Sequence, residues 1–367
     1  MEEKSNSTNG ITLYNILDGA SSKDNVMAPE AERQKQIAAN PLLPTEERVE
    51  AFEDIMESEV GDTRMSRARN IEREIGLRQI YLKFEGANPT GTQKDRIAFA
   101  QAMDAVRRGF DAITVATCGN YGVAIALAAS FAGLKCIIYI PKTYQTRRIK
   151  EIEQYNPEIV RIEGDYEHAV EVSREHAMKE EIYDANPGGA NTILQLRAYG
   201  EIAYEIYDEL RDAPSAVAIP VSNGTTLAGI YKGFQSLYRR GKTSKIPKIV
   251  AGSSFRKNPI IQALLKNTES CNNLNPHKIK ETAINEPLIN WHSIDGEHAL
   301  EAVRNSNGWG TFASDKILIA YSRLIREREG LNVMPASTAG LCALIDQHKK
   351  QNLPNDRYVV IITGRKS

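Results

Sequence analysis

The chain has few of the features that mark a secreted or metal-binding protein. Its 367 residues include four cysteines, and these are scattered, with no CxxC pair: Cys118, Cys136, Cys271 and Cys342. Such spacing gives neither a zinc motif nor a disulfide framework, and no metal site is expected. We therefore predict a protein of the reducing cytoplasm.

Signals for membranes and for nucleic acids are also missing. The stretch "MEEKSNSTNG" lacks the basic residues and apolar run of a signal peptide, so secretion is not expected. The longest apolar stretches, such as "VAIALAASFAGL", fall short of the roughly 20 residues that a membrane span needs. Charge is balanced, with 46 Lys and Arg against 47 Asp and Glu. No net field attracts nucleic acid or an anionic membrane, which favours a small-molecule partner.

Short apolar segments alternate along the chain with longer helical patterns. The strand candidates are rich in Val and Ile and end in Gly, Pro or Ser: "IYLKFE", "AITVAT", "KCIIYIP", "EIVRIEG", "AVAIPVS", "KIVAGSS" and "YVVIITG". Helices are predicted at 95–108, 121–132, 146–154, 166–179, 195–210, 226–239 and 316–328. Because strands that are apolar throughout are buried on both faces, this pattern predicts an α/β fold with parallel, doubly wound sheets. The strand-poor stretch 264–312 is predicted to form loops and a short helix that border the site.

Ligands of such sheets bind beyond the carboxyl ends of the strands. Two strand ends lead through a polar, Gly-containing turn into a helix, "TCGNYG" from Thr117 and "SNGTT" from Ser222 to Thr226. Backbone N–H groups at a helix N-terminus can hold a carboxylate or a phosphate, so each turn is a candidate anion site. Neither turn is a lysine-bearing P-loop or a dinucleotide fingerprint. A third strand ends at Thr363.

A single lysine stands at another such junction. Lys94, in "NPTGTQKDR", lies between a glycine-bearing turn and the start of a predicted helix. A lysine can act as a covalent catalyst when burial lowers its pKa and leaves a free amine. Taken singly, each of these segments is also compatible with an ordinary connector or a surface charge. Their combination favours an active site.

Five segments together resemble a known family. "LKFEGANPTGTQKDR", "ATCGNYG", "PVSNGTTLAGI", "MPASTAGL" and "ITG" occur in the order and spacing of pyridoxal-phosphate enzymes of the tryptophan synthase β fold, also called fold type II. Among these enzymes the chain most resembles threonine synthases, from about residue 60 to the C-terminus. The resemblance implies two doubly wound domains with the active site in the cleft between them.

The resemblance also implies roles for individual residues. Lys94 would hold the cofactor, pyridoxal 5'-phosphate, as a Schiff base and then move the substrate's α-proton. Asn120 would contact the ring oxygen of the cofactor, and Thr363 its pyridine nitrogen. The cofactor phosphate would bind the turn formed by Ser222, Asn223, Gly224, Thr225 and Thr226. The substrate carboxylate would bind Thr117, Cys118, Gly119 and Tyr121.

Several positions depart from the threonine synthase pattern. Gln93 stands where these enzymes usually have Phe, and Met334 where they usually have Glu. Residues 197–201 lack the lysine that helps such enzymes hold a substrate phosphate, and Glu201 would repel one. Arginines could supply anion contacts from new positions, the candidates being Arg64, Arg96, Arg147, Arg148 and Arg197.

The expected reaction is elimination or replacement at Cβ or Cγ of an amino acid. A neutral hydroxyl at Thr363 makes the ring a weaker electron sink than a carboxylate would, which favours departure of a leaving group over transamination. The expected substrate is an activated serine or homoserine, carried as a phospho or acyl ester. A serine or threonine deaminase, and a cofactor-binding protein without turnover, are the alternatives.

By the same resemblance, the chain divides into two unequal domains. Residues 1–96 and 188–367 would form a large cofactor-binding domain, with residues 1–60 as an N-terminal arm. Residues 97–187 would form a small mobile domain that closes over the amino-acid substrate. A homodimer is expected for this family.

Overall fold

The computed structural model describes residues 29–117, 119–142, 144 and 148–366, so residues 1–28 of the predicted arm lie outside the described part. Strands and helices alternate along most of the chain. The helices are α1 (Pro29–Ala38), α2 (Thr45–Glu59), α3 (Arg69–Ile75), α4 (Lys94–Arg107), α5 (Asn120–Ala132), α6 (Ile149–Glu153), α7 (Tyr166–Lys179), α8 (Thr192–Leu210), α9 (Thr225–Arg239), α10 (Pro259–Lys266), α11 (Gly296–Asn305), α12 (Asp315–Glu329) and α13 (Ala339–Gln351). The strands are β1 (Met65–Arg67), β2 (Ile80–Phe84), β3 (Ala112–Ala116), β4 (Lys135–Pro141), β5 (Glu158–Ile162), β6 (Tyr183–Asp184), β7 (Ala216–Pro220), β8 (Lys248–Ser254), β9 (Trp309–Ala313) and β10 (Tyr358–Ile362).

The strands form two sheets. The larger has six strands in the order β1-β2-β10-β7-β8-β9, and the smaller has four in the order β5-β4-β3-β6. Only β1, at one edge of the larger sheet, pairs antiparallel with its neighbour; the other described strand pairs are parallel. The predicted α/β fold with two doubly wound sheets is confirmed.

The central strands are buried along their whole length. Every residue of β7 and of β10 is buried, as their continuous apolar sequences predict for strands with both faces covered. Helix α13 packs on one side, against β7, β8 and β9, and α9 also contacts β7 and β8. The sheet is therefore a rigid base for the loops at its carboxyl edge.

The described part of the N-terminal arm covers the helix that begins with Lys94. Helix α2 packs against α4 and α5. Phe52 of α2 stacks on Phe99 of α4, with ring centroids 5.6 Å apart. Arg48 donates hydrogen bonds to the carbonyls of Ala38 and Ala132. These contacts hold α2 against α4 and α5.

The stretch predicted to lack strands departs from expectation in one respect. It contains helix α11 and then β9, which pairs with β8 as an edge strand of the larger sheet.

Of the helices described, none combines the length and apolarity needed to cross a bilayer.

Candidate active site

The three strand ends and the lysine chosen from the sequence lie around one cavity. Its volume is about 830 Å³. The lining includes Lys94, Thr117, Gly119, Asn120, Ser222, Asn223, Gly224, Thr225, Thr226 and Thr363. The cavity therefore contains a nucleophilic amine, two helix N-termini and a hydroxyl in one space.

The turn before Lys94 is closed by buried side chains. The carboxylate of Asp95 accepts hydrogen bonds from the backbone N–H of Thr90 at 2.8 Å and from its hydroxyl at 2.7 Å. Gly91 has φ +85°, which favours glycine, and its N–H donates to the carbonyl of Asn88. This turn fixes the point at which α4 starts, and so the direction of the Lys94 side chain.

The same turn is joined to the end of β10. The N–H of Gln93 donates to the carbonyl of Thr363 at 3.0 Å, and the N–H of Arg365 donates to the carbonyl of Gly91 at 2.9 Å. Thr92 and Gly364 form an antiparallel bridge between the two segments. These backbone bonds bring Lys94 and Thr363 to the same cavity although they are distant in sequence.

Burial lowers the pKa of Lys94 from 10.5 to about 8, because the charged ammonium loses water. The carboxylates of Asp295 and Glu286 act against this effect by favouring the charged form. The Lys94 amine lies 5.8 Å from the centroid of the Tyr121 ring. About a tenth of the amine is thus uncharged at pH 7, far more than for an exposed lysine.

Next to Lys94, a network of buried charges holds α4 against β2 and α8. Arg96 donates to Glu85 at 2.6 and 2.9 Å and to Glu205 at 2.7 and 2.9 Å. Lys83 pairs with Glu205 at 2.5 Å. Burial alone would raise the pKa of Glu205, but the cations Arg96 and Lys83 lower it to about 2. Arg96, one of the arginines considered for substrate binding, is therefore committed to this network.

The turn after β7 requires glycine at one position and is held by hydrogen bonds of its neighbours. Gly224, the residue before α9, has φ +96°. A Cβ at Gly224 would lie 2.8 Å from the carbonyl oxygen of Asp295 and from Ala299, so only glycine fits. The Thr225 hydroxyl donates to the Asp295 carboxylate, and Asn223 accepts from Asn290 at 2.8 Å. Gly224, Thr225 and Thr226 line the cavity, so the N-terminus of α9 is a candidate anion site.

The residues of the turn after β3 make different contacts. The Asn120 side-chain oxygen accepts a hydrogen bond from Arg148 at 2.8 Å, which sets the orientation of the amide. Tyr121 is not among the described lining residues; its hydroxyl donates to the Ala185 carbonyl at 2.8 Å and accepts from Gln101 at 2.6 Å. Cys118 lies outside the described residues.

At the end of β10, Thr363 faces another hydroxyl. Its Oγ1 lies 3.1 Å from Oγ of Ser337, and Ser337 also donates to the Gly364 carbonyl at 3.2 Å. Both side chains are buried. Because Ser337 has a single proton and donates it to the Gly364 carbonyl, the Thr363 hydroxyl donates to Ser337, which fixes its orientation.

Sequence reasoning missed the residues of the opposite wall. Tyr144, Glu286 and Asp295 line the site or contact its loops, and Tyr144 donates to Glu286 at 3.1 Å. Burial raises the pKa of Glu286; the charge of Glu281 adds to this effect, while Tyr144 and Lys94 act against it. The available signal was the strand-poor stretch 264–312, predicted to border the site. Of the other candidate arginines, Arg64 and Arg197 are exposed, and Arg147 lies outside the described residues.

Comparison with known proteins identifies the family. The family described as "Pyridoxal-phosphate dependent enzyme" matches residues 56–364. The chain belongs to this family, and it is a pyridoxal-phosphate-dependent enzyme.

Curated relatives include threonine synthases. One from Methanocaldococcus jannaschii is 28% identical over 307 residues, which cover 83% of this chain and 74% of the relative. One from a Bacillus species is 30% identical over 309 residues, covering 83% and 82%.

Solved structures of other enzymes share the fold. Serine racemase from Dictyostelium discoideum has a TM-score of 0.70 at 17% identity, covering 87% of this chain and 97% of that chain. Threonine deaminase isoform 2 from Solanum lycopersicum has a TM-score of 0.71 at 15% identity, covering 90% and 92%. At these identities the likeness concerns the fold alone.

The residues around the cavity fit pyridoxal phosphate. An amine whose pKa is about 8 suits reaction with an aldehyde, and the turn from Ser222 to Thr226 lines the cavity with backbone and hydroxyl groups that can donate to a phosphate. Both features line the same cavity. The fit therefore rests on this chain's own geometry as well as on its relatives.

Proposed function

We propose that this enzyme catalyses elimination or replacement at Cβ or Cγ of an amino acid, in the manner of threonine synthase. The proposed substrate is a serine or homoserine activated as a phospho or acyl ester. The observation that carries the proposal is the partly buried Lys94 amine, which shares one cavity with a neutral Thr363 hydroxyl and two helix N-termini.

Lys94 is proposed to act as the base. Pyridoxal phosphate, when bound, withdraws electrons from the α-carbon of an attached amino acid, so that a proton and then a distal group can leave. With a pKa of about 8, the Lys94 Nζ can accept the α-proton and return it without a large free-energy cost. The fixed start of α4 keeps this nitrogen in place.

Thr363 is proposed to bias the reaction toward loss of a leaving group. Its described partner is the Ser337 hydroxyl, so the side chain brings no negative charge to the cofactor nitrogen. A neutral partner stabilises a protonated ring less than a carboxylate does. Reactions in which a leaving group departs early depend least on that stabilisation.

The turns would bind the anionic ends of cofactor and substrate. The α9 N-terminus, from Ser222 to Thr226, is proposed for the cofactor phosphate, and Thr117, Gly119 and the α5 N-terminus for the substrate carboxylate. Glu286, whose pKa is raised by burial, can hold a proton near Lys94. We propose that it delivers this proton to the leaving group.

A serine or threonine deaminase is the second candidate. The observation in its favour is that Lys94 is the only lysine among the described residues lining the cavity, whereas carboxylates from Glu167, Glu171 and Glu281 face the same space. Such a wall suits a substrate whose side chain carries no phosphate.

A spectral titration separates these functions. Purified enzyme with cofactor is titrated with serine, threonine, homoserine and their phospho and acetyl esters, and the products are analysed with and without added nucleophiles. The proposal expects a change of the cofactor spectrum with an ester and no comparable turnover of the free amino acids. Ammonia and a 2-oxo acid formed from free serine or threonine would instead establish the deaminase.

A further inference from the structure

A second cavity adjoins the active site. Its volume is about 480 Å³, and it shares a wall with the first cavity. Gly119, Asn120, Tyr144, Glu286 and Met334 line both spaces. A ligand in the second cavity would thus stand next to the turn proposed to bind the substrate carboxylate.

One face of α12 forms the far side of this cavity. Ile319, Ser322, Arg323 and Arg326 line it at the spacing i, i+3, i+4 and i+7, which places their side chains in one stripe on a helix. Arg323 and Arg326 are exposed to the cavity and solvent. Among the described residues, no carboxylate lies within ion-pair distance of either guanidinium.

Two further cations come from other parts of the chain. Lys366 reaches the cavity from the segment after β10, and Arg148 from the residue before α6. Arg148 donates to Asn120 at 2.8 Å and to the Thr90 carbonyl at 2.9 Å, and it pairs with Glu151. Arg148 therefore connects the second cavity to the turn before Lys94 and to the turn after β3.

The two cavities differ in the sign of their charge. The described lining of the first contains more carboxylates than cations; its carboxylates are Asp165, Glu167, Glu171, Glu281 and Glu286, and its cations are Lys94 and Arg174. In the second, the lining carboxylates are the shared Glu281 and Glu286, and the lining cations are Arg323, Arg326, Lys366 and Arg148, the last of which is paired with Glu151. An anionic group near this active site is therefore attracted to the cations of the second cavity and repelled by the carboxylates of the first.

We propose that the second cavity binds an oxyanion, a carboxylate, phosphoryl or sulfo group, chiefly through Arg323 and Arg326. Guanidinium groups bind such oxyanions through paired, charge-assisted hydrogen bonds. The oxyanion is either a free ion or the anionic end of a reactant whose other end lies in the first cavity. This site goes beyond the proposed reaction, since it concerns binding and does not depend on which bond is broken.

The test is isothermal titration calorimetry of the cofactor-loaded enzyme with inorganic phosphate, and then with sulfate, at constant ionic strength. We expect saturable binding by the wild type. The double variant Arg323→Gln, Arg326→Gln should bind phosphate at least about tenfold more weakly, because hydrogen bonds to charged groups are lost. The control Lys316→Gln, Lys349→Gln removes two exposed lysines outside both cavities and should bind as the wild type does.

Two results would overturn the site: no saturable binding of either ion by the wild type, or equal affinity in the wild type and the arginine variant. Far-UV circular dichroism and the cofactor absorbance of each variant establish that it is folded and loaded.

In turnover assays, phosphate that raises KM for an anionic reactant identifies the reactant as the source of the oxyanion. A change in kcat at constant KM identifies a free ion. The calorimetric result stands even if the enzyme acts on none of the amino acids proposed above.

Discussion

The Lys94→Met variant without cofactor should be more stable than the wild type at neutral pH. Much of this difference in stability should disappear at high pH. In the folded protein the pKa of Lys94 falls from 10.5 to about 8, because the buried ammonium loses water. A fall of this size corresponds to roughly 3 kcal/mol if the amine is fully dry. Because Lys94 is only partly buried and faces the cavity, solvent screening reduces the expected cost to about 1–2 kcal/mol.

The sign of the pH dependence follows from proton linkage. Below pH 8 the amine is charged in both the folded and unfolded states, so the wild type bears the full cost of burial. Between pH 8 and 10.5 the unfolded state holds more protons, and the stability of the wild type therefore rises with pH. Above this window the amine is neutral in both states and the cost is absent.

Urea unfolding of both cofactor-free proteins at pH 7 and pH 10 measures the effect. The difference in the free energy of unfolding, Lys94→Met minus wild type, should decrease by about 1–2 kcal/mol between the two pH values. A difference that stays constant with pH, or that grows, would refute the argument that Lys94 is held partly uncharged by burial.

Three further substitutions test the site and its support. Gly224→Ala should weaken cofactor binding and lower Tm more than Gly241→Ala does, because a Cβ at Gly224 meets Asp295 and Ala299 at 2.8 Å whereas one at Gly241 meets nothing within 4 Å; equal effects in cofactor titration and thermal unfolding would contradict this. Arg96→Gln should destabilise the protein by about 3–5 kcal/mol, because the buried Glu85 loses its ion-pair partner and Glu205 keeps only Lys83. Arg107→Gln, which breaks an exposed pair with Glu53, should cost about 0–1 kcal/mol in the same urea assay. Thr363→Val should retain cofactor but lower kcat/KM by up to about tenfold, the value of one hydrogen bond; loss of cofactor instead would show that Thr363 serves in binding.

The regular elements could be predicted where the sequence has a strong period or a clear boundary. Helix α7 spans Tyr166–Lys179, as predicted, and Asp165 caps it by accepting from the N–H of His168. Strand β8 spans Lys248–Ser254, again as predicted, because its apolar run is buried along most of its length. In both cases local sequence and tertiary environment agree.

The elements that were missed lack such agreement. Strand β9, "WGTFA", is half-buried at a sheet edge and contains glycine and threonine, so no apolar run marks it. Strand β1 has three residues and β6 has two, which is too short for a periodic pattern. Their place in the sheets is decided by neighbours far away in the sequence.

Some residues of the candidate site could likewise be predicted from the sequence, and others could not. Lys94, the Gly224 turn and Thr363 could be chosen because each stands at a junction between a turn and a regular element. Glu286 could not, because its contact with Tyr144 joins residues 142 positions apart within irregular loops. The basic second cavity was also out of reach, since the cations of α12 meet Lys366 and Arg148 only in the folded chain.

The most direct test of the account is to locate the lysine that carries the cofactor. The loaded enzyme is treated with borohydride, which fixes the cofactor to its amine, and the labelled peptide is identified by mass spectrometry. We predict the label on Lys94, and its loss together with the visible absorbance in Lys94→Ala. Label on another lysine, such as the buried Lys83 that pairs with Glu205, would contradict the account.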